Sequence, residues 1–265
     1  MRRWSAVLQY NGGAYRGWQS QPHGVTVQQR TERVLSQIAD HAVAVHCAGR
    51  TDAGVHALGQ VIHFDSDSRR TPDNWLRGFT SNIAADISMS WVGPVEQEFH
   101  ARHRCCRRTY TYWIDNAPQP LAPFAGLTAH FPAPLDAEAM HRAGQVFLGE
   151  HDFSALRAAG CQASTPVRCI DQLQVVRRGR WVALTVRANA FLLHMVRNMV
   201  GALRYVGSGR GDAGWVAELL AGRDRSQCPD TAPARGLFLV RCEYPERFAI
   251  PAAPELTAPA GVLGG

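Results

Sequence analysis

The sequence predicts an α+β fold in which helices pack on a largely antiparallel sheet. Segments with strand periodicity and segments with helix periodicity both recur along the chain. They do not alternate strictly, which argues against a doubly wound parallel sheet. The chain has 265 residues, of which 46% are apolar and 19% charged, so it can form one large domain or two ordinary ones.

The first half contains four predicted strands and two predicted helices. The first strand ends at Asn11-Gly12-Gly13, a strong turn signal. Thr26 is a suitable N-cap for the first helix, whose apolar residues share one face. In order, we expect a strand at 6–10, a helix at 25–39, strands at 42–47 and 59–64, a helix at 72–83 and a strand at 87–92.

A basic segment, residues 99–108, leads into the second half. The dipeptide Arg178-Gly179 predicts a hairpin turn. In order, we expect a strand at 109–114, a helix at 136–148, strands at 167–177 and 180–187, helices at 191–206 and 215–220, and a strand at 236–242. We therefore expect an N-terminal domain at 1–104, a C-terminal domain at 105–248 and a disordered, Pro/Ala/Gly-rich tail at 249–265.

Composition restricts the class of partner. All 28 basic residues are arginine, and the net charge is +6 with an isoelectric point near 9.2. Arginine is planar and permanently charged, which suits phosphate recognition, although a charge of this size is weak support for a polyanionic partner. The seven cysteines include no C-x-x-C pair, so we expect reduced thiols and no metal. No apolar run is long enough to span a membrane, and we expect a cytoplasmic protein.

Residues 47–56 are the most informative stretch of the chain. Asp52 lies between two glycines and two residues after Arg50. Glycine lets the backbone turn sharply and lets a ligand approach closely. Asp52 is therefore either an ordinary turn residue or a reactive carboxylate held beside a guanidinium.

Several motifs together resemble the family of tRNA pseudouridine synthase A, over most of the chain. One such fragment would be a weak signal, but these occur in the family's order. The matching motifs are Tyr10-Asn11-Gly12-Gly13 with Gly17-Trp18-Gln19, Ala48-Gly49-Arg50-Thr51-Asp52-Ala53-Gly54-Val55-His56, Phe99-His100-Ala101-Arg102, Arg108-Thr109-Tyr110-Thr111-Tyr112, the run from Asn189 to Asn198, and Ala234-Arg235-Gly236-Leu237.

The resemblance implies two ferredoxin-like (RRM-like) halves that share a largely antiparallel mixed sheet, with an active-site cleft between them. It also implies a homodimer that binds tRNA. The implied reaction isomerises uridine to pseudouridine at positions 38, 39 and 40 of the anticodon stem-loop, with no cofactor and no metal.

The resemblance assigns three catalytic residues. Asp52 is the expected nucleophile, and the residues leave open whether it attacks the ribose carbon, adds to the uracil ring or removes a ribose proton. Arg197 is expected to pair with Asp52; the alternative is a solvated helix residue, which its apolar neighbours disfavour. Tyr110 is expected to stack on the target uracil, although an ordinary strand tyrosine is also possible.

Further residues are expected to contact RNA. Arg50 resembles the residue that fills the space left by the flipped base; the alternatives are a phosphate contact or an exposed turn residue. A charged run such as 99–108 is often only a solvated face, but its aromatic residues and the family match favour RNA contact. The expected contacts are Arg70, Phe99, His100, Ala101, Arg102, His103, Gln162, Ala163 and Ser164, with Leu237 lining the substrate pocket.

Two other functions fit parts of the sequence. A non-catalytic RNA-binding protein could use the same basic surface. A small-molecule hydrolase could use a lone aspartate nucleophile, but no second acid, phosphate loop or metal set accompanies it. The pseudouridine synthase hypothesis accounts for more of the chain than either.

Overall fold

The structure is a computed structural model that describes residues 1–252, and it divides the chain into two units. The first unit holds residues 1–108 together with the described residues from Phe238 onward. The second unit holds Thr109–Leu237. The expected division at 104/105 placed the last strand in the second half, whereas that strand pairs within the first unit. Most of the expected tail, residues 253–265, lies outside the described residues.

The sheet of the first unit is built around β1 (Arg2–Tyr10) and β3 (His56–Ser66), which pair antiparallel over almost their whole length. On its other side β1 pairs antiparallel with β4 (Ile87–Pro94). Strand β2 (His46–Cys47) pairs antiparallel with β3, and β10 (Leu237–Glu243) pairs parallel with β3. Both β1 and β3 are almost continuously buried because they are central strands.

Two helices accompany this sheet, α1 (Val27–Ala39) and α2 (Pro72–Asn82). Each starts with a capping box, in which the side chain of Thr26 or Thr71 accepts a hydrogen bond from the backbone three residues on. The predicted cap at Thr26 is therefore confirmed, and the helix begins two residues later than expected because residues before a cap are not helical.

Aromatic side chains fill the core between helix α2 and the sheet. Trp75 of the helix makes edge contacts with Trp4 and Phe64, with ring centroids 5.9 and 5.0 Å apart. All three residues are at most 1% exposed. Such pairs add about 0.5–1.5 kcal/mol beyond their burial.

The strands of the second unit pair in the order β5 (Arg107–Asp115), β9 (Trp181–Ala188), β8 (Val167–Arg178) and β7 (Gly149–Asp152). Strands β8 and β9 form the predicted hairpin, with a left-handed Gly179 in its turn. The sequence did not predict β7, nor the two-residue β6 (Ala129–His130) that pairs parallel with β5.

Three helices pack in this unit, α3 (Ala137–Gly144), α4 (Met195–Gly207) and α5 (Ala213–Gly222). The prediction that α4 begins at residue 191 is wrong. His194 has φ of 59°, a left-handed conformation that cannot continue a right-handed helix, so α4 begins at the next residue.

The α+β class with mixed, mostly antiparallel strand pairing is confirmed. In the part of the chain that the structure describes, no helix combines the length and the apolar character needed to cross a membrane.

Candidate active site

The loop between β2 and β3 carries the candidate nucleophile. Asp52 is half-buried, and its backbone carbonyl accepts a hydrogen bond from the amide of Val55 at 3.1 Å. This bond closes a tight turn, so the turn that the composition suggests is present. Asp52 is nevertheless partly exposed on this turn, and a reacting group requires access.

A second loop, which follows β1 and contains Tyr15 and Trp18, is hydrogen-bonded to the Asp52 loop. The amide of Trp18 donates to the carbonyl of Thr51 at 3.0 Å, and the amide of Gly54 donates to the carbonyl of Tyr15 at 3.3 Å. Gly17 has φ of 83°, and a Cβ there would lie 2.7 Å from the Thr51 carbonyl oxygen. Only glycine allows both the conformation and this close approach.

A buried group of hydrogen bonds lies behind the loop. The Tyr10 hydroxyl is 2.8 Å from the Thr51 hydroxyl, and the Gln60 side chain donates to Tyr10 at 3.3 Å. The same amide nitrogen donates to the carbonyl of Gly49 at 2.6 Å. The sequence did not predict roles for Tyr10 or Gln60, which lie 50 residues apart.

Arg108 ties the basic segment to the same loop. Its Nη2 donates to the carbonyl of Ala48 at 2.7 Å and to the carbonyl of Arg102 at 3.1 Å. Its Nε donates to the Ala48 carbonyl at 3.2 Å. Within the segment expected to contact RNA, this arginine therefore holds backbone carbonyls of its own unit.

Two residues of the expected RNA-contact set are part of the core. Phe99 and Ala101 are fully buried, and the ring of Phe99 packs 5.1 Å from the rings of Tyr244 and Phe248. The carbonyl of Ala101 accepts the Tyr244 hydroxyl at 2.6 Å. These side chains anchor the segment, and the neighbouring Arg102 and His103 are exposed.

Histidine rings connect that surface to the core. The rings of His100 and His103 stack with centroids 4.0 Å apart, and His100 lies 4.5 Å from the ring of buried His63. His100 Nδ1 accepts from the amides of Arg102 and His103, and His63 Nδ1 accepts from the amide of Ala101. Burial, followed by the charges of His100 and His46, lowers the pKa of His63 to about 3. Burial and then His103 also lower the pKa of His100. The neutral rings thus act as acceptors that shape the turn.

The two other arginines expected to contact RNA in this unit differ in setting. Arg50 is exposed and lies two residues before Asp52. Arg70 is exposed, but its Nε donates to the carbonyl of Ile38 at 2.9 Å and so satisfies a carbonyl near the end of α1.

In the second unit, Arg197 lies in the first turn of α4 and is half-buried. Its Nε donates to the carbonyl of Ala232 at 2.7 Å, and its own carbonyl accepts from the Ala232 amide. The next residue, Asn198, is fully buried and bonds Leu156 and Thr231. The sequence did not predict this role for Asn198, although a fully buried amide on an apolar helix requires hydrogen-bond partners. The solvated alternative for Arg197 does not fit this setting.

Tyr110 lies on β5, is 8% exposed, and meets Phe191 edge to face with ring centroids 5.1 Å apart. Leu237 is buried at the end of the second unit.

Arg157 fixes the Gln162-Ala163-Ser164 loop. Its Nη2 donates to the carbonyls of Cys161 and Ala163 at 2.6 and 2.8 Å. Gln162 and Ser164 are exposed.

Among residues 1–252, no three or more His, Cys, Asp or Glu side chains are grouped so that they could hold a metal ion.

This chain resembles known proteins over most of its length. A family model described as tRNA pseudouridine synthase matches residues 6–103 and 143–245. A tRNA pseudouridine synthase A of Aeromonas hydrophila is 47% identical over 93% of this chain and 92% of its own. Relatives of the same name from Escherichia fergusonii and Psychromonas ingrahamii are each 45% identical over 93% of this chain, and over 92% and 95% of their own lengths.

The two matched stretches include the Asp52 loop in the first unit and the Arg197 helix in the second. The resemblance inferred from the motifs is thus confirmed across both units, and the chain belongs to the tRNA pseudouridine synthase family.

Proposed function

We propose that this protein isomerises uridine to pseudouridine at positions 38, 39 and 40 of the tRNA anticodon stem-loop, with Asp52 as the nucleophile. The bond between ribose C1′ and uracil N1 breaks, and a bond between C1′ and C5 forms. The hydrogen at C5 is lost to water and N1 gains a proton, so no redox group is needed. The observation that carries the proposal is a half-buried aspartate in a chain of this family, on a loop whose backbone is hydrogen-bonded to Tyr15, Trp18, Gln60 and Arg108.

Arg197 is proposed to pair with Asp52. A carboxylate serves as a nucleophile only while it is ionised, and a nearby guanidinium favours the ionised form. Arg197 Nε already donates a hydrogen bond to the carbonyl of Ala232, so the guanidinium is oriented before substrate binds. The chemistry of Asp52 keeps three alternatives: attack on the ribose carbon, addition to the uracil ring, or removal of a ribose proton.

Base flipping gives the remaining residues their proposed roles. The target uridine must leave the stack, which costs a few kcal/mol. Arg50 is proposed to fill the vacated space, and Tyr110 to stack on the uracil, which contributes about 1–3 kcal/mol. Leu237 is proposed to line the base pocket.

The tRNA backbone is proposed to run along exposed cations and polar groups. Clustered arginines displace counterions from phosphates, so binding should weaken steeply with salt. The proposed contacts are Arg70, His100, Arg102, His103, Gln162 and Ser164, supported by Phe99, Ala101 and Ala163. We further propose that the protein acts as a homodimer and works in the cytoplasm, where its tRNA substrate is found.

The test uses an anticodon-arm transcript labelled with tritium at uridine C5. The native chain should release label to water, and Asp52→Asn should slow release at least about 1000-fold, because losing a nucleophile removes the covalent route. Asp73→Asn, which alters an exposed carboxylate in the first turn of α2, is the matched control and should release label at the native rate.

The outcomes separate the three functions. Tight RNA binding without any release of label would favour a non-catalytic RNA-binding protein. Hydrolysis of a small molecule at a rate that does not change with salt concentration would favour a small-molecule hydrolase. Only tRNA binding depends strongly on counterion release.

A further inference from the structure

The Gln60 side chain holds one residue of the Asp52 loop by both of its backbone groups. Its amide nitrogen donates to the carbonyl of Gly49 at 2.6 Å, while its oxygen accepts from the Gly49 amide at 3.4 Å. Gln60 is fully buried on β3, one of the two central strands of its unit. The two contacts fix the two peptide units that meet at Gly49, the second of which joins Gly49 to Arg50.

The same amide nitrogen also supports a second contact. It donates to the Tyr10 oxygen at 3.3 Å, and the Tyr10 hydroxyl is hydrogen-bonded to the Thr51 hydroxyl 2.8 Å away. Tyr10 is 4% exposed, and burial raises the pKa of its hydroxyl, which keeps that proton in place. Gly49 and Thr51, on either side of Arg50, are therefore both hydrogen-bonded to the buried pair formed by Tyr10 and Gln60.

These polar groups are not required to join the strands that carry them. Strands β1 and β3 are already paired along their backbones from Arg2 to Tyr10. Burying a polar side chain is costly unless its hydrogen bonds are satisfied, and an apolar side chain of the same size would fill the space without that cost. Within residues 1–252, and apart from their contact with each other, the Tyr10 and Gln60 side chains form hydrogen bonds only with the loop.

We propose that Gln60 and Tyr10 are positioning residues for the reaction, which act through Gly49 and Thr51 to hold the Arg50–Asp52 segment in its reactive geometry. The inference rests on the proposed function of Asp52. Neither side chain touches the reacting atoms. A small displacement of a reacting group can cost a large factor in rate, so the effect should appear in the chemical step rather than in tRNA affinity.

The test compares two changes that each remove one buried hydroxyl from β1. Tyr10→Phe removes the contact with Thr51, whereas Ser5→Ala removes a 2.9 Å bond to the carbonyl of Ile62, a strand residue outside the loop. In single-turnover tritium release at saturating tRNA, Tyr10→Phe should be about tenfold slower, the factor that 1.4 kcal/mol represents. Its tRNA dissociation constant should stay within about twofold of the native value. Ser5→Ala should lower thermal stability to a similar extent and leave the release rate unchanged.

A double variant shows whether the two hydroxyls act through one contact. Thr51→Val should slow release about as much as Tyr10→Phe, and Tyr10→Phe/Thr51→Val should be no slower than the slower single variant. The inference would be overturned if the rate losses of the two single variants multiplied in the double variant. It would also be overturned if Tyr10→Phe released label at the native rate, or lost only tRNA affinity.

Hydrogen exchange separates this inference from the proposed function. The backbone amides of residues 48–55 should exchange about tenfold faster in Tyr10→Phe and in Gln60→Met than in Ser5→Ala, whether or not the native chain releases tritium. A native chain without activity, but with this exchange pattern, would refute the function and retain the positioning role. Equal exchange in all variants would refute the positioning role.

Discussion

Acidification should destabilise the first unit through His63. This residue is 2% exposed, and its Nδ1 accepts the amide of Ala101 at 3.2 Å, so the folded protein holds the ring neutral. Burial, with the neighbouring His100 and His46, lowers its pKa from 6.5 to about 3. The ring therefore takes up a proton in the unfolded chain well before it does so in the folded one.

The sign and size of the effect follow from this difference. Above pH 6.5 neither state binds the proton, so the contribution of His63 to stability is fully present. As pH falls from 6.5 toward 3, only the unfolded state binds it, and the free energy of unfolding falls by about 1.4 kcal/mol per pH unit. At pH 5 the loss from this residue is about 2 kcal/mol.

Urea unfolding of the native chain and of His63→Asn, at pH 7 and at pH 5, isolates this contribution. Asparagine cannot titrate, and its Oδ1 can replace Nδ1 as the acceptor for the Ala101 amide. The native chain should lose about 2 kcal/mol more than His63→Asn between the two pH values. His23→Asn, at an exposed site, should behave like the native chain. If the native chain and His63→Asn lose the same free energy, the argument from burial is refuted.

Two further predictions concern the reactivity of two cysteines and the support of the Asp52 loop. Contact with the Cys242 thiol and the nearby Arg108 lower the pKa of Cys105 below its usual range, whereas burial raises that of Cys228 to about 11. At pH 7.5 iodoacetamide should therefore label Cys105 more than about tenfold faster than Cys228, as mapped by peptide mass spectrometry, and equal rates would contradict this. Arg108→Met should slow single-turnover tritium release about tenfold, because the Ala48 carbonyl loses its charged donor; a rate equal to the native one would show that this contact does not hold the loop.

Local signals in the sequence predicted most of the elements correctly. Thr26 caps its helix as predicted, and the Arg178-Gly179 hairpin forms where expected, because caps and turns depend on neighbouring residues. The predicted start of α4 was wrong because the apolar pattern continues through His194. The left-handed backbone of that residue is imposed by its surroundings. Strands β6 and β7 are too short to give a periodic signal.

The candidate site was predictable where its residues are adjacent in sequence. Glycines flanking Asp52 indicated a special loop, and the motif order indicated the family. The support for that loop was not predictable, since Tyr10 and Arg108 reach it across separations of 41 and 60 residues. The burial of Phe99 within a charged segment was likewise not predictable, because it depends on the distant rings of Tyr244 and Phe248.

The most direct test of the central claim is to map pseudouridine at single-nucleotide resolution in the anticodon arm of unmodified tRNA, after incubation with the native chain or with Asp52→Asn. Pseudouridine should form at positions 38, 39 and 40 with the native chain and be undetectable with Asp52→Asn, although both bind the tRNA equally. Equal modification by the two proteins, or unchanged uridine with the native chain, would contradict the role assigned to this carboxylate.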